Sequence, residues 1–178
     1  MRLALIYTAD AKVWDPAGVD LWETALQPAA HGFTMDVYRL STRGELPEVD
    51  AVDAIVVTGS HHNTCEELPW MARLKTLLQA CAAAGKPVVG ACFGAQLAAE
   101  AFGGAVSKNP CGRFILRAEE LRPTPAFAAL PAAAGIVAPD CTVLAASGPS
   151  HCFRIIESHG YAVSALPVRI SSVCRGGV

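Results

Sequence analysis

One stretch carries a residue type and spacing that could do chemistry: Pro87-Val88-Val89-Gly90-Ala91-Cys92-Phe93-Gly94-Ala95-Gln96-Leu97-Ala98-Ala99-Glu100. It reads as a short apolar strand, a tight turn of small residues, then a helix. Cys92 stands at the turn, with Gly90 and Gly94 two residues away on either side. This is the cysteine form of the G-x-nucleophile-x-G elbow. A nucleophile on a strained strand-to-helix turn is exposed to substrate, and flanking glycines let strand and helix approach without a Cβ clash. The helix N-terminus adds free N–H groups and a positive dipole end, which favour a thiolate and an oxyanion.

The elements that must position this turn follow from periodicity. Arg2 to Tyr7 reads as a buried first strand. Val19 to Ala30 places Leu21, Trp22, Ala25 and Leu26 on one helical face, with Gly32 ending the helix. Phe33 to Leu40 alternates as a second strand, and Leu46, Pro47 and Asp50 make a connector. Ala54 to Thr58 is an apolar third strand of the kind that parallel sheets bury on both faces, stopping at Gly59-Ser60. His61 to Pro69 is a polar loop. Trp70 to Ala84 is a helix with Met71, Leu74, Leu77, Leu78 and Cys81 on one face, Gly85 as its cap and Pro87 opening the fourth strand. The elbow helix runs to Gly103-Gly104. Strand–helix alternation with short links is the signature of a parallel α/β sheet. Such sheets gather their sites at the carboxyl ends of strands, here Thr58-Gly59-Ser60 and Gly90-Ala91-Cys92. Beyond Lys108 the pattern weakens. Phe114 to Leu121, Thr142 to Ala146 and Ile155-Ile156 are candidate strands; Pro123 to Pro139 is rich in Ala and Pro; Ser171 to Val178 reads as an unstructured end.

Composition narrows the function class. The 178 residues are 52% hydrophobic and 17% charged, which is globular and the size of one domain. The net charge of −2 makes no electrostatic case for nucleic acid or an anionic membrane as a partner. No stretch is long enough to span a bilayer, and Leu3 to Tyr7 is too short for a signal-peptide core. Seven cysteines without a CxxC pair read as reduced cytoplasmic thiols, most of them core or loop residues. No phosphate-binding GxxxxGK loop is present and no cofactor is implied. His61 and His62 with Cys65 fit no common zinc spacing and have no second ligand pair, so no metal is expected; these histidines are read as lining the mouth of the site. Lys108, Arg113, Arg117, Glu119, Glu120 and Arg122 read as a solvated face.

The chain resembles the class I glutamine amidotransferase family, the Cys-dependent glutaminase domains. The residues that carry the resemblance are Thr58-Gly59-Ser60, Glu66-Glu67-Leu68-Pro69-Trp70 and Gly90 to Gln96. Phe102-Gly103-Gly104 with Lys108-Asn109-Pro110, and Glu157-Ser158-His159-Gly160, add to it. Residues 1–112 or so match in order, and the elbow with Gln96 is the specific part. The resemblance implies a single domain over 1–178, atypical from about 113, with a flavodoxin-like doubly wound α/β sheet, mostly parallel, and helices on both faces. It implies that Cys92 attacks the glutamine side-chain amide, gives a thioester and releases ammonia. The backbone N–H groups of Gly59 and Phe93 would form the oxyanion hole. Gln96, Ser158, Gly160 and Tyr161 would hold glutamine or a γ-glutamyl compound. The ammonia would go to water or to a synthetase subunit.

The sequence also departs from the family's pattern. Ala95 stands where the family usually has His. No histidine has Glu two residues later, which is the family's His-x-Glu base and orienter: neither His31, His61, His62, His151 nor His159 does. Thr142 to Ser147 and Phe153-Arg154 resemble segments that normally follow the Ser-His-Gly turn, yet precede it, and the chain ends where the base-bearing strand is expected. His159 with Glu157 at i−2 is a substitute base to weigh, against the simpler reading that it belongs to the substrate turn; His151 is a weaker one. A binding or regulatory relative without turnover is therefore the alternative function. An intracellular cysteine peptidase-like hydrolase ranks last, because that group has His directly after the Cys, where Phe93 stands.

Overall fold

Leu3 to Tyr7 is buried along its whole length, as a strand covered on both faces must be, and forms β1 (Arg2–Tyr7). The computed structural model of the chain describes residues 1–11, 17–27, 31–123, 153–165 and 174–176. β2 (Thr34–Arg39), β3 (Ala54–Val57) and β4 (Val88–Gly90) join β1 in a four-stranded sheet of order β2-β1-β3-β4. Every pairing is parallel, with Ile6 opposite Val57 and Val57 opposite Gly90. The order reverses between β1 and β3, the switch point where flavodoxin-like sheets open a crevice at their carboxyl ends.

Helices cover both faces of this sheet. On one face Leu3, Leu5, Ala54 and Val56 form a core cluster, packed by Trp22 and Leu26 of α1 (Ala17–Leu26) and by Phe33, Met35 and Val37. The alternate residues Ala4, Ile6, Ile55 and Val57 point to the opposite face and are equally buried. There α3 (Pro69–Ala83) and α4 (Phe93–Ala101) pack on each other and on β3 and β4. The face expected of α3 is the observed one: Met71, Leu74, Leu77, Leu78 and Cys81 are its buried residues. Proline at N1 starts it, where the missing N–H is harmless. A Schellman motif ends it: Gly85 at φ +73° bonds Ala82 O (3.0 Å), and Lys86 N bonds Cys81 O (2.9 Å). Gly103 repeats the device at the end of α4, at φ +89°, with Gly104 N on Ala99 O at 2.7 Å.

α1 departs from the sequence reading. It ends at Leu26, before the expected Ala30, and Gln27 already has φ +43°. Of the four residues assigned to its buried face, Trp22 and Leu26 reach the core, but Leu21 is 64% exposed and Ala25 is exposed too. A narrower stripe than a full amphipathic face contacts the sheet. The second strand stops at Arg39 because Leu40 starts a single helical turn, α2 (Leu40–Arg43), closed by Gly44 at φ +68°. The polar loop after β3 contains a 3₁₀ turn, Thr64–Glu66.

The chain falls into two compact units, with bounds Met1–Ser107 plus Val163–Pro167 and Lys108–Ala162 plus Val168–Val178. In the second, β6 (Ile115–Pro123) pairs antiparallel with β7 (Phe153–His159) and with β9 (Cys174–Gly176). The expected strands at 114–121 and 155–156 thus fall, Phe114 apart, within β6 and β7. The expected unstructured end is corrected: Cys174–Gly176 pairs with Leu121–Pro123, because ladder bonds need only backbone groups and no apolar periodicity. β5 (Ala105–Lys108) and β8 (Tyr161–Ala165) form a two-stranded sheet. The expected strand Thr142 to Ala146 and the Ala/Pro-rich stretch at 124–139 lie outside the described residues. Among those described, no helix is long and apolar enough to cross a membrane.

Leu78 is fully buried beneath α3. Leu78→Ala should lower unfolding stability by about 2–5 kcal/mol, read as a lower urea midpoint with an unchanged slope.

Candidate active site

Cys92 is held in a conformation that L-residues rarely adopt, φ +51° and ψ −113°, and its side chain is exposed. It caps α4, whose first helical bond runs from Gln96 N to Cys92 O at 3.1 Å. The glycines explain how the turn is tolerated. A Cβ on Gly90 would lie 2.4 Å from the Gly94 carbonyl carbon, and one on Gly94 would lie 2.4 Å from Val57 O. Both contacts are with backbone, which has little room to yield. Only glycines at these positions let α4 descend onto the ends of β3 and β4. Phe93, the first residue of α4, is buried with its ring 5.6 Å from that of Trp70. Gln96, one turn on, is 8% exposed.

Gly59 lies directly beside Cys92, since a Cβ built on it would touch Cys92 Cβ at 3.5 Å. What aims the backbone here is a buried pair of threonines. Thr8 follows β1, Thr58 follows β3, and both are essentially inaccessible. The Thr8 N–H donates to Thr58 Oγ1 at 3.0 Å, and the Thr58 hydroxyl donates to Gly59 O at 3.0 Å. The Thr8 hydroxyl reaches Thr58 O at 3.2 Å. A trans peptide points its N–H opposite to its C=O. By holding Thr58 O on the β1 side, Thr8 turns the Gly59 N–H away from β1. Ser60 closes the clamp, donating to Thr8 O at 2.8 Å. Thr8 went unnoticed in the sequence. The available signal was a polar residue directly after a buried strand, at the end of the sheet where sites form.

The loop after Gly59 is tied down by charge. His62 lies between two carboxylates, with Nε2 2.9 Å from Asp10 Oδ2 and Nδ1 2.6 Å from Glu66 Oε2. His61 Nε2 lies 2.6 Å from the other Asp10 oxygen. Burial works against the charged form of His62, but the hydrogen bonds and charges of Asp10 and Glu66 outweigh it and raise its pKa. Burial likewise pushes the Asp10 carboxyl up, and the bond from His62 with the charges of both histidines brings it below its usual range. The Asn63 N–H, foremost, and His62 hold Glu66 low. Glu100 of α4 then fastens this loop to the elbow helix: it accepts from Thr64 Oγ1 and from Lys75 Nζ, each at 2.7 Å.

The expected substrate turn lies in the second unit. Ser158 and His159 end β7, Gly160 makes the bend and Tyr161 starts β8. Asn109, 3% exposed, organises it: its N–H donates to Gly160 O (3.1 Å), and its amide NH2 donates to His159 O (2.9 Å) and Arg113 O (3.2 Å). With the amide so oriented, Asn109 Oδ1 accepts from His159 Nδ1 at 3.1 Å, which assigns the proton of a neutral ring to Nδ1. Of the predicted residues, the structure thus brings Gly59, Cys92, Phe93 and Gln96 together in the first unit. Ser158, Gly160 and Tyr161 are gathered at one bend of the second.

Residues 25–175 match the family model for glutamine amidotransferase class-I. The chain belongs to this family. Gamma-glutamyl peptidase 4 of Arabidopsis thaliana is 34% identical over 68 residues, which cover 36% of this chain and 27% of that protein. The fold resembles that of a glutamine amidotransferase from Methylobacillus flagellatus, with a TM-score of 0.69 and 22% identity over 98% of this chain and 61% of the other. It also resembles the glutaminase domain of Trypanosoma brucei CTPS with bound acivicin, with a TM-score of 0.60, 16% identity, 92% of this chain and 68% of the other. The chain therefore spans under a third of the first of these proteins and about three fifths of the second. These likenesses match the mostly parallel, helix-covered sheet of this amidotransferase-family chain.

Two outcomes follow from the elbow of this family member. Gly94→Ala should disrupt the α4–β3 contact and cost at least about 1–3 kcal/mol, the range for overpacking, in urea unfolding. Thr8→Val removes the hydroxyl that holds Thr58 O while keeping its volume. It should cost about 1–3 kcal/mol for the polar groups left unpaired, with near-native circular dichroism.

Proposed function

We propose that this chain hydrolyses the side-chain amide of glutamine, or a γ-glutamyl bond of the same chemistry, through a Cys92 thioester. The observation that carries the reading is the exposed Cys92 at φ +51°, on a strand-to-helix turn with glycines on both sides. Cys92 Sγ attacks the amide carbon. Negative charge develops on the carbonyl oxygen, and the Gly59 and Phe93 N–H groups stabilise it there. Collapse expels ammonia and leaves the thioester, which water hydrolyses to glutamate. Gln96, in the same unit as Cys92, holds the substrate. Family membership supports the glutamine reading, and the γ-glutamyl peptidase relative supports its γ-glutamyl variant. The glutaminase domain with bound acivicin supports release of the ammonia to a synthetase partner.

A thiol of ordinary pKa is only a few per cent thiolate at neutral pH, and the departing ammonia needs a proton. No histidine of the sequence is followed two residues later by glutamate, so the reaction requires another proton carrier. That same observation favours the second reading, a binding or regulatory relative that keeps the nucleophile without turnover.

Ammonia release from glutamine by the purified chain, beside Cys92→Ala, tests the first reading. Wild-type release with a loss of at least about 100-fold in the variant is expected, since covalent catalysis depends on one atom. Stoichiometric labelling of Cys92 by acivicin without ammonia release would establish the second reading. Failure of Cys92 to label at all, in a folded chain, would sink both.

A further inference from the structure

The turn after β3 does something that an extended strand forbids. It brings the rings of two consecutive residues, His61 and His62, to the same side, with centroids 4.5 Å apart and planes inclined by 33°. Both Nε2 atoms face one carboxylate, that of Asp10, 52 residues away from His62 in the chain and delivered by the segment after β1. Asp10 is the ligand partner that the sequence reading did not find.

The donor atoms of Asp10, His61 and His62 all lie within 4.8 Å of one another. Imidazole nitrogen and carboxylate oxygen bind zinc-like cations at about 2.0–2.2 Å, so adjacent donors around one tetrahedral ion lie about 3.4 Å apart. The separations of 2.6 Å and 2.9 Å are those of direct hydrogen bonds, so the three donors need to spread by less than about 1 Å to take an ion.

The second ring nitrogen of His62 is an independent observation. Nδ1 is 2.6 Å from Glu66 Oε2, so it donates its proton there. In a neutral ring this leaves the Nε2 lone pair aimed at the carboxylate of Asp10, acceptor against acceptor at 2.9 Å. At this distance a shared proton bridges them, and a cation that replaces the proton takes the same two lone pairs as the atoms move apart. A carboxylate behind a histidine that presents its other nitrogen is also the outer arrangement that orients metal-ligating imidazoles. Glu66 is itself fixed, accepting from Asn63 N (2.9 Å) and Asn63 Nδ2 (3.0 Å), while His62 N donates to Ser60 Oγ at 3.2 Å. The ring thus sits in a braced frame. His61 is the exposed side of the cluster, its side chain 48% accessible, which leaves an approach from solvent.

We propose that Asp10, His61 and His62 form a binding site for a divalent transition-metal cation of the zinc type, with Glu66 orienting His62 from behind. Two imidazoles and one carboxylate suit borderline cations such as Zn2+ and Co2+ rather than Mg2+ or Ca2+, which take all-oxygen sets. Solvent completes the coordination, as at sites with three protein ligands. The bound ion links the ends of β1 and β3, beside the threonine clamp, and does not depend on Cys92 being a working nucleophile.

The test is a titration of the full reduced chain with Co2+, followed by visible ligand-field absorption, with Zn2+ as competitor. One Co2+ per chain, displaced by Zn2+, is expected, together with a rise in melting temperature. Asp10→Asn and His61→Ala should each weaken binding at least about 10-fold, and Glu66→Gln by about 10–100-fold, the range for outer-shell partners. Circular dichroism checks that each variant is folded. If Glu66→Gln proves unfolded, His61→Ala, at the exposed ligand, carries the comparison. Absence of 1:1 binding by the wild type would overturn the proposal. So would an affinity that Asp10→Asn and His61→Ala leave unchanged. A sulfur-to-cobalt charge-transfer band would place the ion on cysteine thiolates and overturn it equally.

Discussion

The close approach of one helix to the backbone of two strands is the constraint on which the rest of this structure depends. The first turn of α4 lies so near β3 and β4 that a single methyl group at Gly90 or Gly94 would penetrate main-chain atoms. The same approach forces Cys92 to φ +51°. Backbone strain of this kind costs about 1–3 kcal/mol. Burial of Phe93 and Leu97 on the same helix offsets it, at about 1.5–3 kcal/mol for each large apolar side chain. The strained residue is therefore held by its own helix, and the exposed thiol is presented at the end of the sheet.

Around that turn, polar groups appear where the strands stop. β1 from Leu3 on and β3 are buried along their length, and each is followed by a buried threonine. A buried hydroxyl must find partners, and here the two threonines satisfy each other and the carbonyls of residues 58 and 59. Further out, where water reaches, the same two strand ends are joined by charge, through Asp10, His61, His62 and Glu66. Glu100 ties this outer layer back to the elbow helix through Thr64 and Lys75. The layers share one logic: buried ends are paired by neutral hydrogen bonds, accessible ends by ions.

Much of the first unit was legible in the sequence because its signals are local. The α3 face repeats at helical spacing and was read residue for residue. The elbow is a pattern of adjacent residues whose spacing already implies its sterics, and the turn at Cys92 with its flanking Gly90 and Gly94 was legible through it. The α1 face was overread. A spacing of apolar residues marks which positions share a side, but the width of the stripe that touches the sheet depends on how the helix lies on it, and of the four expected residues Trp22 and Leu26 pack on the core. Cys174–Gly176 was read as unstructured because a short strand paired through its backbone carries no pattern of its own.

The sequence by itself determined the strand–helix alternation, the strand-to-helix turn at Cys92 and the glycines that permit it, because these rest on hydrophobic period and on sterics between near neighbours. Only the tertiary structure decided which distant residues meet. Thr8 on Thr58, Asp10 on His61 and His62, and Lys75 on Glu100 are each a pair from different elements. A lone threonine or aspartate looks the same in sequence whether it faces water or a partner. Parallel pairing of β1 with β3, fixed by register across some fifty residues of chain, is what turns those separate side chains into one layer.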